Sequence, residues 1–428
     1  MIDPQGRSRT DESKGVFVAG ATEGTYRTRT LESTLDSLWE RRQEFGVSRV
    51  SDITQLDRSG LPVFVAVRPD AHPRNLTVSA GKGVERLASL VSCLAEAFER
   101  HWAEPQHHDY RRATADELEE AGDLWLSPAA IGTVRGSRWT PATELNWLSF
   151  RDLGCEDREV FVPAEYAVAP YVPTSGSRLT TSSSDGIAAG NTPEEAALHA
   201  LMELIERDAC SYGNWMHRGH RLIRDSLPDS ANALLETFEA ADLEATVYQF
   251  GAVLGIPVIY VTLDDHRTTN SMLLCAGAGA HIDGDVAITR ALTEAAQSRV
   301  CAISGGREDL APKYLDNRAL GYDRARASLA SWDRNFEDAP YRRWGEITSL
   351  DTAEQALTEI VDGLLGFGLP QVLIRELAPP DQPLSVVSAV VPGLECVEGP
   401  DSPAGPRFRA AMLEHAMGIQ TQREKRDR

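Results

Sequence analysis

Three stretches of this chain carry acidic side chains at spacings that a helix turns into one surface. They are Leu94-Ala95-Glu96-Ala97-Phe98-Glu99-Arg100, Leu201-Met202-Glu203-Leu204-Ile205-Glu206-Arg207 and Leu292-Thr293-Glu294-Ala295-Ala296-Gln297-Ser298-Arg299. In each, a Glu is followed three residues later by Glu or Gln. Each first Glu also stands thirteen residues after a position that reads as loop: Gly83, Gly190 and His281. Adding the residue four before gives Ser92/Glu96/Glu99, His199/Glu203/Glu206 and Arg290/Glu294/Gln297, each set on one side of a helix. A single Glu pair of this kind is commonly a solvated face, where like charges cost only about 0.2–0.5 kcal/mol. Here the pattern occurs three times at one offset, beside Leu94, Phe98, Leu201, Leu204, Ile205 and Leu292, so a shared site is the competing reading. The residues alone leave both open.

If the faces converge, the carboxylates need protons or cations between them. Hard divalent ions take oxygen ligands, and Mg²⁺ typically binds one or two carboxylates together with substrate phosphates. Lys82, Arg207 and Arg290 supply positive charge for phosphoryl oxygens. The backbone of Gly81-Lys82-Gly83 can approach them closely. The chemistry indicated is a metal-bridged nucleoside triphosphate. It is not an ordinary P-loop: GxxxxGK[ST] fails at Gly83, no GxGxxG opens a helix after a strand, and no HRD/DFG pair is present. A lone GKG more often marks a turn.

The same residues lie within a pattern of helices and strands. Thr30 caps a helix with Leu31, Leu35 and Leu38 on its apolar stripe. Strands are expected at 47–50 and 63–67, then a long helix over 84–102. A short helix follows Thr114, with strands near Trp147 and Val160. The Ser/Thr/Gly-rich stretch 176–191 reads as an irregular loop delivering a helix that starts at Pro193. Two buried strands are expected between 245 and 263, and a loop at 277–281 leads to a helix over 286–303. Helix 353–365 and strands 372–376 and 386–391 complete the pattern. This is an α+β chain without the regular period of a doubly wound sheet.

Composition narrows the class. The 428 residues carry 43 Lys+Arg against 64 Asp+Glu, a formal charge of −21. That balance disfavours nucleic-acid binding, which needs a basic stripe, and attachment to anionic lipid. No apolar run approaches the roughly 20 residues of a spanning helix, and the amino terminus lacks a signal-peptide apolar stretch. Six scattered cysteines without a CxxC pair give no sign of a disulfide framework or a cysteine zinc site. A cytoplasmic protein with reduced thiols is expected.

At the same residues the sequence resembles the YcaO family, ATP-dependent enzymes that modify peptide backbone amides. The resemblance lies in SAGKG (79–83), SCLAEAFER (92–100), GIAAGNTPEEAALHALMELIERDA (186–209) and GAHIDGDVAITRALTEAAQSR (279–299). It also includes GVSRVSDITQLDRSGLPVFVAVRP (46–69) and VVPGLE (390–395), and it spans roughly 24–410. It implies one large domain over 24–410, of mixed sheets packed with helices, with a nucleotide site between three long helices. Within it, 31–75 would be the amino-terminal portion, 76–310 the ATP-binding core and 311–410 a carboxyl-terminal α/β portion. Residues 1–23 would be a flexible leader and 411–428 a charged tail, disordered at TQREKRDR.

Position by position, the resemblance implies that Glu96, Glu99, Glu203 and Glu206 ligate Mg²⁺. It implies that Lys82, Ser92, Asn191, Glu195, Arg207, Arg290, Glu294 and Gln297 contact or order ATP, with Arg290 and Glu294 as catalytic candidates. The implied reaction is phosphorylation of a peptide amide oxygen followed by attack of a nucleophile. Azoline formers, which often end in PxPxP, use a substrate side chain, whereas thioamide formers use sulfide, commonly with a TfuA-like partner. The 46–69 and 390–395 blocks look like the TfuA-associated branch, and the last proline is Pro406, so thioamide formation is expected over azoline or amidine formation. A degenerate, non-catalytic nucleotide-binding scaffold is a further alternative. No fused precursor-binding domain is evident, so a separate recognition protein is expected; a homodimer is a family-level expectation. Cys210 and Cys275 read as buried structural residues, and His199 and His281 as packed or capping ones.

Overall fold

The computed structural model describes residues 26–155, 158–173, 177–310, 319–342 and 352–426. The expected leader, 1–23, lies outside them. In chain order the first elements are α1 (Leu31–Arg41), β1 (Arg49–Asp52), β2 (Val63–Val67), β3 (Val78–Lys82) and α2 (Arg86–Ala103). The middle of the chain holds β4 (Arg111–Ala113), α3 (Ala115–Ala121), α4 (Pro128–Ile131), β5 (Leu145–Asp152), β6 (Glu159–Pro163), β7 (Ile187–Gly190) and α5 (Pro193–Met216). Then come β8 (Gly219–Leu222), α6 (Asp229–Ala240), β9 (Glu244–Phe250), β10 (Val258–Asp264), β11 (Cys275–Ala280) and α7 (Gly284–Ser304). The last elements are α8 (Tyr322–Asp333), β12 (Asp338–Ala339), α9 (Ala353–Gly366), β13 (Leu373–Glu376), β14 (Ser385–Val390) and α10 (Pro406–Arg426).

The strands form three sheets: β1-β2-β3, then β11-β10-β9-β8-β12, then β4-β5-β13-β14-β7 with β6 paired to β5. Neighbours are antiparallel except β12 on β8. The mixture of helices and antiparallel sheets is the α+β architecture expected.

Local chemistry explains the helix starts. Thr30, Thr114 and Thr192 each accept a backbone N–H of the first helical turn, Thr114 within a full capping box with Glu117. Burial then fixes orientation. Leu90, Leu94, Ala97 and Phe98 turn α2 onto the first sheet, while α5 is apolar on most of its circumference because it lies between two sheets.

Three strand–helix units organise the molecule: β3 with α2, β7 with α5, and β11 with α7. Each helix lies on its own strand and also touches the strand of the next unit: α2 reaches β7, α5 reaches β11, and α7 reaches β3. The three units therefore close into a ring.

The SAGKG stretch, the end of the 176–191 stretch and the 277–281 segment are not loops or turns where they meet the helices; they are β3, β7 and β11. Their Gly and Ala content lowers ordinary strand propensity, but it lets a helix backbone lie directly on the strand. A Cβ on Gly81 would stand 2.1 Å from the Ser89 carbonyl oxygen, and one on Gly277 2.3 Å from that of Ala291. The carboxyl-terminal stretch expected to be disordered is helical through Arg426. Its run of strong helix formers continues from a start at which Phe408 and Ala411 pack on Tyr212 and Met216.

Candidate functional site

The three acidic faces meet at the centre of this ring. Each first Glu is tied to a backbone N–H of its own unit: Ala80 of β3 donates to Glu96 at 2.9 Å, Gly186, the turn residue before β7, to Glu203 at 3.3 Å, and Ala278 of β11 to Glu294 at 3.2 Å. The second residue of two sets crosses to the neighbouring unit. Glu99 on α2 accepts the Ala189 N–H of β7 at 2.9 Å, and Gln297 on α7 donates its side-chain amide to the Ala80 carbonyl of β3. Lys82 on β3 pairs with Glu294 on α7. The thirteen-residue offset thus has a physical cause: it returns each helix over its strand so that backbone amides receive the carboxylates.

Arg207 lies among Asp185, Glu206 and Glu203 at 3.3, 3.4 and 3.5 Å, and Arg100 pairs with Glu96 at 2.8 Å. Ser92 Oγ accepts the Lys82 N–H at 3.4 Å. The remaining ATP candidates line the flank. Asn191 donates to Glu195 from its backbone and its side chain, at 3.0 and 2.9 Å, and its Oδ1 accepts from Thr34 at 2.8 Å. Glu195 also holds Thr28 and Arg27. Arg290 donates to the Ala280 carbonyl at 3.4 Å.

Next to Glu195 and Arg290 lies an open cleft of about 340 Å³ lined by Tyr26, Arg27, Leu198, His199, Met202 and His281. Tyr26 and His281 stack with centroids 5.9 Å apart. His199 Nδ1 is buried without a hydrogen-bond partner, whereas His281 Nδ1 accepts the Asp283 N–H at 2.9 Å.

The electrostatics are those of a cation site. Glu99 is pushed well above the carboxylate range, first by burial and then by Glu203 and Glu96. Burial raises Glu203 to about 8 against the pull of Arg207, with Asp185 and Glu206 adding to the rise. Glu206 is raised by burial, with Arg207 opposing and Glu294 reinforcing. Glu294 moves the other way: Lys82 and Arg207 outweigh its burial. Arg290 falls to about 10 through burial and Arg27, yet remains cationic at neutral pH.

Glu203, Glu294, Lys82 and Arg207 keep 25–27% of their side-chain surface open, so a ligand has access. The carboxylates are not clenched. Among the described residues, no three of this set bring ligand atoms within 4.8 Å of one another. Backbone amides and basic side chains hold them separately: Ala80 and Arg100 on Glu96, Ala189 on Glu99, Ala278 and Lys82 on Glu294. Oxygen-only donors destabilised as anions and flanked by arginines fit Mg²⁺ with phosphate oxygens between them.

Some neighbours escaped sequence reasoning. Asp185, Arg100 and the segment Tyr26–Thr28 are drawn to the site by long-range packing; Asp185 sits in a stretch without periodicity, and Tyr26–Thr28 belongs to none of the three repeats. Cys210 is buried in the main core and Cys275 is half-buried. Burial raises both thiols, Cys275 to about 12.

Known proteins resemble this chain in sequence and fold. The family described as YcaO cyclodehydratase, ATP- and Mg²⁺-binding, matches residues 80–395. An uncharacterized protein of Methanothermobacter thermautotrophicus is 35% identical over 391 residues, covering 89% of this chain and 97% of that protein. A protein of Rhizobium leguminosarum bv. trifolii named for its place in the tfuA 3′ region is 31% identical, covering 88% of this chain and 90% of its own. The structure of YcaO from Methanopyrus kandleri bound with AMPPCP and Mg²⁺ superposes with a TM-score of 0.73 at 21% identity. It covers 91% of this chain and 99% of that one, a likeness of fold. The chain belongs to the YcaO family, whose domain binds ATP and Mg²⁺. Among the described residues no helix is long and apolar enough to cross a membrane.

Proposed function

We propose that this chain uses ATP and Mg²⁺ to phosphorylate the oxygen of a peptide backbone amide, and that the product is a thioamide. The observation that carries the reading is the meeting of three acidic helix faces with Lys82, Arg207 and Arg290 at one open centre. Glu96, Glu99, Glu203 and Glu206 would hold the metal. Lys82, Ser92, Asn191, Glu195, Arg207, Arg290, Glu294 and Gln297 would hold the nucleotide. Bound Mg²⁺ supplies neutralisation of charge on the transferring phosphoryl group.

The chain's own contribution is placement and charge. Burial raises Glu99, Glu203 and Glu206 above their ordinary range, so a bound cation would relieve negative charge that the site otherwise disfavours. Arg207, within ion-pair distance of Asp185, Glu203 and Glu206, presents a guanidinium to the centre. Once the amide oxygen carries phosphate, hydrosulfide attacks the carbonyl carbon. The C–O bond breaks with release of phosphate, the sulfur loses its proton, and C=S remains.

The relative named for the tfuA 3′ region supports the thioamide branch and a TfuA-like partner or a separate precursor-recognition protein. The family description favours azoline formation as the second reading, and amidine formation is a third product of the same activation. Incubation of the chain with ATP, Mg²⁺, sulfide, candidate peptides and a TfuA-like protein separates them by mass. Exchange of oxygen for sulfur is expected. Loss of one water without sulfur uptake would replace thioamidation by cyclodehydration. Absence of substrate-dependent phosphate release with every partner would leave a non-catalytic nucleotide-binding protein.

A further inference from the structure

The carboxyl-terminal end of α2 carries a second group of metal-ligating side chains, turned away from the acidic cleft. His101 stands two residues beyond Glu99, about 200° further round the helix. Glu104 is the residue that caps α2, and His107 closes the single 3-10 turn that follows, Pro105–His107. One ligand atom from each of His101, Glu104 and His107 lies within 4.8 Å of the other two.

The imidazole centroids of His101 and His107 are 4.3 Å apart, and His107 Nε2 is enclosed by protein with no hydrogen-bond partner. A buried polar atom left unpaired is costly, so a ligand there gains what water would otherwise supply.

The carboxylate of this group is already oriented. Glu104 is 1% exposed; its Oε1 accepts from Arg68 and Asn75 at 2.8 Å each and from the His72 N–H at 3.2 Å. Its Oε2 accepts from the amide of the exposed Gln106 at 2.6 Å, a contact that an ion can displace. Hydrogen bonds of this kind to one carboxylate oxygen fix a metal ligand from outside and leave the second oxygen for the metal. The ion pair with Glu104 also compensates the Arg68 charge, so the local field is not simply repulsive to a cation.

We infer that His101, Glu104 and His107 form a binding site for a divalent transition metal of the Zn²⁺ type, distinct from the Mg²⁺–ATP cleft. Two imidazoles and a carboxylate suit Zn²⁺ and its neighbours, whereas Mg²⁺ takes oxygen donors. Ligand distances of about 2.0–2.1 Å require ligand atoms roughly 3.3 Å apart in a tetrahedron, a modest closure of the observed group. Three protein ligands leave the fourth position to water. The missing cysteine pairs excluded only a thiolate zinc site, and this one needs none.

The test is a Co²⁺ titration of the full chain in excess Mg²⁺ and without nucleotide, since ATP would itself chelate Co²⁺. One equivalent of Co²⁺ should produce the visible absorption of a low-coordinate, nitrogen-ligated ion, and Zn²⁺ should displace it. His107→Ala and His101→Ala should each weaken binding at least tenfold while leaving nucleotide binding intact. Should His101→Ala fail to fold, His107→Ala, on a half-exposed turn, carries the test alone. A folded wild-type chain without that absorption, or absorption that survives His107→Ala, overturns the inference.

Discussion

Glu203 concentrates the chemistry of the cleft in one side chain. Burial raises its folded-state carboxyl from an ordinary 4.5 to about 8, Arg207 restrains the rise, and Asp185 and Glu206 add to it. The folded state therefore binds this proton more tightly than the unfolded state. The contribution is fully present below 4.5 and is lost as pH rises through about 8. Without nucleotide or metal, the melting temperature of the wild type should fall over that window more steeply than that of Glu203→Gln, whose amide cannot ionise. Parallel profiles would contradict the assignment of the shift to this residue. Glu203→Gln and Glu206→Gln should also lower ATP turnover at least about 100-fold, the scale of removing one charge-stabilising group, with circular dichroism unchanged. The residue scale was largely legible in sequence, because helix periodicity alone placed Glu96, Glu99, Glu203, Glu206, Glu294 and Gln297 on shared faces. Asp185 and Arg100 were not, since one lies in an aperiodic stretch and the role of the other depends on which rotamer the packed site allows.

At the scale of elements, the repeating unit is a small-residue strand beneath a helix. Gly81 shows why the strand is built of small residues: its Cβ would meet the Ser89 carbonyl at 2.1 Å and the Cys93 nitrogen at 2.2 Å, both backbone atoms that cannot swing aside. Gly81→Ala should lift α2 off β3, move Glu96 away from the Ala80 amide and cost about 3 kcal/mol, the upper range for overpacking. Urea unfolding measures the loss, and a cost under about 0.5 kcal/mol would show that the strand–helix contact yields freely. The same glycines and alanines caused the misreading of β3, β7 and β11 as loops or turns. Strand propensity reflects side-chain packing on a pleated surface, and here a helix backbone fills the place of the side chains. Thr30, Thr114 and Pro193 gave no such difficulty, because caps and first-turn prolines act through local backbone groups.

For the whole molecule, the ring must be held shut, and buried ion pairs help to do so. Arg299 on α7 donates to Asp57, in the turn between β1 and β2, at 3.0 Å and to Asp265, just after β10, at 2.7 Å; all three side chains are buried. Arg299→Ala leaves the buried Asp57 carboxylate without its cation, while Asp265 keeps Arg58, and should cost about 3 kcal/mol, with loss of activity following loss of fold. A melting temperature equal to wild type would show that the two sheets are joined by other contacts. Such closure was beyond the sequence, because residues 57, 265 and 299 share no motif and meet only when the units assemble. Whether the acidic centre holds nucleotide through a metal is decided by calorimetric binding of a non-hydrolysable ATP analogue in the presence and absence of Mg²⁺. Binding to the wild type should require Mg²⁺, be abolished by chelation and be weakened at least tenfold by Glu206→Gln. Equal affinity with and without the ion, untouched by that substitution, would contradict nucleotide binding through a metal.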